Sequence, residues 1–146
     1  MPVKSVPKGH NHVSPYLVVE DVKKLLEFLK KVFNAKEIDR MAMPDGTLSH
    51  AEVKIGDSVV MMGAAPAGTP SMQNMIHIYC DKVDLVYQRA IKAGATSIRE
   101  PADQFYEDRS GGIKDIFGNQ WWMSTHIEDV SDKEMVNRAL TASKKK

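Results

Sequence analysis

A single cysteine, Cys80, leaves this chain of 146 residues without an internal disulfide. Set inside an apolar segment, its thiol acts as a small hydrophobe, and a reducing, cytoplasmic setting is expected. No apolar run approaches the roughly 20 residues that span a bilayer, and the opening MPVKSVPKGHNHVSP lacks the apolar core of a signal peptide. Neither sign of charge prevails, since 20 lysines and arginines face 19 aspartates and glutamates for a net +1. That balance argues against nucleic acid or an anionic membrane as partner. The one basic run, Lys144 to Lys146, reads as a solvated end. No glycine-rich strand-to-helix turn is present, so a nucleotide-like cofactor has little to stand on.

What is present is a pattern that occurs twice. Residues 1–12 are a polar arm with Pro2, Pro7 and Gly9, in which His10 and His12 flank Asn11. A His-x-His pair can ligate a metal, but without a third ligand it is more simply polar. Val13 to Glu20 alternates as a strand, and Asp21 is placed to cap a helix whose apolar residues, Val22, Leu25, Leu26, Leu29, Val32 and Phe33, recur at three and four. Asn34 closes that helix. Strands follow over 37–43, 48–55 and 58–62, joined by the turns Pro44-Asp45-Gly46 and Gly56-Asp57.

The segment 64–74, small and proline-bearing, reads as a mobile connection. The pattern then restarts with a strand over 75–80, a helix over 82–93 ended by Gly94, a strand over 96–100, a polar loop over 101–110 and a last hairpin ending in Gln120 to Thr125. Val19-Glu20-Asp21-Val22 matches Cys80-Asp81-Lys82-Val83, and Gly56-Asp57 is echoed by Gly118-Asn119. The expectation is α+β, with two βαβββ modules over 13–63 and 75–126. Ser131 and Glu134 form a capping box for a helix in the C-terminal segment 127–146.

The segments PYLVVEDVKKLLEFLKKVFNAK, PDGT with SHAEVKIGDSVVMM, and DRSGGIKDIFGNQWWMSTHIEDVS resemble the PhnB-like branch of the glyoxalase, bleomycin-resistance and extradiol-dioxygenase (vicinal oxygen chelate) superfamily. The resemblance spans residues 13–136. It implies two modules curled around a shared cleft with helices outside, commonly as a homodimer. In the metal enzymes of that superfamily, ligands sit at positions that align here with Ser14, Met75, Val60 and Trp122. None supplies imidazole, carboxylate or thiolate, so no cofactor is expected, and a divalent metal only through a non-standard ligand set. Asp115-Ile116-Phe117 also departs from the family's Asp-Pro-Phe.

On this alignment the ligand pocket comprises Tyr16, His50, Glu52, Met62, Met75, His77, Tyr79, Trp122 and Ser124, with Arg109 as an anion clamp unless it pairs with Asp108 or Glu107. His50, Glu52 and His77 are the candidate acid/base or metal-holding trio, though a strand histidine is more often a lining residue. Three functions remain open. They are a binding protein for a small aromatic or amphipathic molecule, a divalent-metal-dependent lyase, isomerase or dioxygenase, and a dimeric interaction module.

Overall fold

The computed structural model describes residues 3–144. The chain divides into two units, residues 1–74 and 75–146. The first contains β1 (Tyr16–Val19), α1 (Val22–Phe33), β2 (Lys36–Ala42), β3 (Leu48–Ile55) and β4 (Ser58–Ala64). Its sheet runs β1-β4-β3-β2, with β1 parallel to β4 and the other pairs antiparallel. The second contains β5 (Met75–Tyr79), α2 (Val83–Lys92), β6 (Thr96–Asp103), β7 (Asp108–Lys114), β8 (Gln120–His126) and α3 (Asp132–Lys144). Its sheet repeats the order as β5-β8-β7-β6. The duplicated βαβββ reading therefore holds.

Local signals explain the elements. The Asp21 carboxylate accepts from the Lys24 amide at 3.1 Å, and Asn34, at φ 53°, closes α1 in the left-handed region. Val22, Leu25, Leu26, Leu29 and Val32 bury against the side of the sheet that carries Leu17, Val19, Ala51, Val53, Val60 and Met62. In the second unit, α2 covers Ile113, Trp121 and Met123. Lys82 offers α2 no side-chain cap, and the Thr125 hydroxyl accepts from the Val83 amide instead, at 2.9 Å.

The turn between β7 and β8 is organised by Asp115, a buried carboxylate. It accepts from the amides of Phe117 and Asn119 and, through its other oxygen, from the Trp121 indole at 2.9 Å. Ser131 caps α3 by accepting from the Glu134 amide at 3.2 Å, as the capping box predicts. The C-terminal helix buries none of its residues and is tied down by Arg138, which pairs with Glu128 and Glu134.

Two strand bounds are corrected, and the connection between the units takes a described path. Strand pairing begins at Tyr16 rather than Val13, which is 86 % exposed. The connection 64–74 is tethered along β1, through Ala65 N to Val19 O, Met72 N to Val18 O and Glu20 N to Ser71 Oγ. And β6 continues through Pro101 to Asp103, shrinking the expected 101–110 loop to 104–107. An edge strand tolerates that proline because one side of it needs no ladder donor, and the register slips between Arg99 and Ala102. No helix among the described residues is long and apolar enough to cross a membrane.

Candidate functional site

Each sheet has one side under its helix and one open side. In the first unit a cross-strand row on the open side runs Tyr16, Met61, Glu52, Asp39. In the second the corresponding row runs His77, Trp122, Gly112, Arg99. The two rows correspond position by position in register, and both units have a register slip at the outer strand, between Glu37 and Asp39 and between Ser97 and Arg99.

This register corrects the pocket. Met62 pairs with Leu17 and Ala51 on the helix side and is fully buried, and Val60 pairs with Val53 on that same side, so neither reaches the open face. Met61 takes their place. The cause is the turn, since Ile55 pairs directly with Ser58 around Gly56-Asp57, whereas Lys114 pairs with Gln120 around five residues. Matching Gly56 to Gly118 therefore slips β4 against β8 by one residue, and one residue reverses every side chain. Trp122 is the counterpart of Met61. Trp121, fully buried on the helix side, is core.

On the first open face four polar groups form a chain. The Tyr16 hydroxyl lies 3.1 Å from His50 Nδ1, His50 Nε2 lies 2.7 Å from Glu52 Oε2, and Glu52 Oε1 lies 2.7 Å from His10 Nε2. Tyr16 lies across β4 because Gly63 has no side chain there; a Cβ would collide with its phenol. Glu52 is 8 % exposed, and the His50 hydrogen bond, followed by that of His10, holds its pKa below the ordinary carboxylate value against the opposing effect of burial. The Glu52 hydrogen bond in turn raises His10. His10 belongs to the arm, which Asn11 also pins by accepting from the Val59 amide at 3.1 Å. The His-x-His spacing drew attention to His10 for metal; its partner is a carboxylate on β3.

On the second open face Trp122 lies close over Gly112, where a Cβ would meet the indole at 2.8 Å. The Arg99 guanidinium stands 5.0 Å from the indole centroid. His77 Nε2 bonds the buried Ser124 hydroxyl at 3.0 Å, and its ring meets Tyr79 edge-on at 4.7 Å. Tyr79 donates to Asp108 at 3.3 Å, while Met75 and Tyr79 stay 70 % and 65 % exposed. The predicted trio thus divides, His50 and Glu52 bonding each other in the first unit and His77 bonding within the second.

Arg109 does not clamp an anion from this face. Its backbone pairs with Thr125 on the helix side, and its guanidinium forks onto Asp84 of α2 at 2.9 and 3.1 Å and reaches Asp103 at 3.1 Å. Those pairs raise its already high pKa. Sequence proximity to Asp108 and Glu107 pointed to the wrong acids because strand alternation turns Arg109 away from Asp108.

The family's metal positions, with Met61 replacing Val60, present the hydroxyl of Ser14, the thioethers of Met61 and Met75 and the indole of Trp122. The Ser14 hydroxyl is buried without a partner. This donor set does not fit a resident divalent metal held in the family's manner, and no chemistry is derived through one. Among the described residues, the group of three or more His, Cys, Asp and Glu side chains whose ligand atoms all lie within 4.8 Å of one another is Glu107, His126 and Asp129. His126 bonds Asp129 at 2.7 Å and Asp108 at 3.0 Å, which pushes its pKa up to about 9. A protonated imidazole ringed by carboxylates is an ion-pair hub.

A protein made of two such βαβββ units, each holding a helix on one side and a mixed polar and aromatic face on the other, belongs to the class of duplicated α+β folds. More particularly, the chain belongs to the Glyoxalase/Bleomycin resistance protein/Dioxygenase superfamily, whose family model matches residues 9–123. An uncharacterized protein of Mycobacterium tuberculosis is 34% identical over 134 residues, covering 84% of this chain and 79% of the relative. Among solved structures, TioX from Micromonospora sp. ML1 is similar with a TM-score of 0.68 at 21% identity, over 80% of this chain and 99% of that one. The fosfomycin resistance protein FosX from Listeria monocytogenes, complexed with Mn(II) and sulfate, has a TM-score of 0.62 at 20% identity, over 88% and 97%. At these identities the structural likeness bears on the fold alone.

Proposed function

We propose that this chain is a PhnB-like, cytoplasmic, homodimeric binding protein. It holds a small planar aromatic or amphipathic molecule against the open face of its second unit, without the superfamily's usual metal. The observation that carries this reading is the surface around Trp122: an indole set over Gly112, with the His77 and Tyr79 rings and the exposed Met75 beside it. Rigid aromatic surface with adaptable thioether contact suits such ligands. The test is a fluorescence titration with naphthalene and acridine derivatives on the wild type and on Trp122→Ala. Saturable quenching that disappears in the variant is expected, and quenching that persists unchanged would overturn the assignment.

A second reading, a divalent-metal-dependent lyase, isomerase or dioxygenase, is favoured by the Tyr16–His50–Glu52 chain, which has the form of a reactive hydroxyl, a base and its orienting carboxylate. The FosX structure with Mn(II) shows that a protein of this fold can hold a metal. Elemental analysis of the tag-free protein after dialysis against a mild chelator separates the two readings. Background metal is expected. Near-stoichiometric metal that vanishes in a His50→Ala, His77→Ala double variant would transfer the assignment to the enzyme.

A further inference from the structure

We infer that the molecule held at Trp122 carries an anionic group, a carboxylate attached to its aromatic ring, and that Arg99 receives it; this deepens the binding reading above and rests on it. Arg99 ends the row that contains His77, Trp122 and Gly112. Its Nη2 donates to the Tyr106 hydroxyl at 3.2 Å and the Ser110 hydroxyl at 3.0 Å, and both partners are neutral. Its Nε is buried with no partner. Arg99 forms no ion pair among the described residues, whereas Arg40, Arg109 and Arg138 are each paired with carboxylates.

Arg89, also with an orphan Nε, lies in the last turn of α2, where the carbonyl ends of the helix favour a cation. Arg99 sits on a strand and has no such compensation. Of the acids on β6 and β7, Asp103 bonds Arg109, and Asp108 bonds His126 and Tyr79. A half-buried guanidinium with only hydroxyl partners has lost hydration without gaining a counter-charge.

The same contacts make it a prepared receptor. Two hydroxyls and the indole fix the plane of the guanidinium, and Nη1 has no hydrogen-bond partner among the described residues. A carboxylate on the ligand can accept from Nη1 in a charge-assisted hydrogen bond. With the guanidinium 5.0 Å from the indole centroid, one small aromatic acid can touch both groups.

The experiment compares 2-naphthoate with the neutral 2-naphthamide, reading the ¹⁵N indole resonances of Trp121 and Trp122 in the full chain. In the wild type, both compounds should move Trp122 and leave Trp121 in place, with naphthoate binding at least about tenfold more tightly, as expected for a charge-assisted hydrogen bond. Arg99→Gln should erase that preference while keeping the naphthamide affinity, and Arg99→Lys should restore part of it. A preference that survives Arg99→Gln, or equal affinities in the wild type, overturns the role of Arg99 and leaves the Trp122 reading standing. If neither compound moves Trp122, both inferences fall together.

Discussion

The two open faces share a scaffold and differ in charge. At corresponding positions the first unit has Tyr16, Met61, Glu52 and Asp39, and the second has His77, Trp122, Gly112 and Arg99. Duplication conserved where side chains point, set by register and by the slip in the outer strand. What they are was free to diverge. The first face satisfies Glu52 internally with two imidazoles, while the second leaves Arg99 without an ion-pair partner among the described residues. Within this pair, the side with unmet electrostatic need is the better candidate for a ligand.

The sharpest way to break the comparison is to remove each tryptophan. Trp121→Ala, emptying a fully buried site and orphaning the Asp115 oxygen bonded to its indole, should cost about 3 to 5 kcal/mol in denaturant unfolding. Trp122→Ala should cost roughly half as much or less, because its ring is part-exposed. Equal losses would mean that the facing assigned to β8 is wrong.

The glycines under the two aromatic groups come next. Gly112→Ala drives a Cβ against the fused indole ring, and a cost of about 1 to 3 kcal/mol is expected together with a displaced Trp122 resonance. Gly63→Ala meets the outer end of a half-exposed phenol, which can swing aside. Its stability cost should stay under about 1 kcal/mol, while the Tyr16–His50 hydrogen bond is lost. The reverse ranking would show that Tyr16 is the more rigid of the two.

Histidine titration gives the smallest effect. His126 is raised chiefly by its hydrogen bond to Asp129, then by Asp108, so its stabilising contribution is complete below the ordinary imidazole value of 6.5 and is lost as pH rises through about 9. His10, raised by Glu52, loses its contribution in the same direction. Glu52, lowered chiefly by His50, contributes above the ordinary 4.5 and loses that contribution as pH falls through its folded value. The first-unit pairing is therefore strongest between 4.5 and 6.5. Proton NMR should show His126 still charged at pH 8; an imidazole titrating near 6.5 would remove the hub at Asp108 and Asp129.

Much of this was legible in the sequence and some of it was not, for reasons visible at particular residues. Period and caps located α1, from Asp21 to Asn34, and turn chemistry located the hairpins. Side-chain facing on β5 followed from alternation, as His77 and Tyr79 show. Facing on β4 did not, because two turns that share a glycine differ in length, and Met62 was exchanged for Met61. Arg99 escaped notice, and His10 was weighed only as a metal ligand, because their partners are remote in sequence. Nothing local marks a guanidinium that will end beside Trp122, or an arm histidine that will find Glu52.

The pairing of each unit's first strand with its last has a consequence for assembly. Tyr16 meets Met61, and His77 meets Trp122, across whole units rather than across a hairpin. Such closures pay the largest loop entropy and are the non-local steps that slow folding. The short strands β1 and β5 are thus expected to dock last and to open first, with their amides exchanging hydrogen ahead of β3, β4, β7 and β8. Tyr16 and His77 ride on those strands, so each open face gains its outermost aromatic group only when its unit closes.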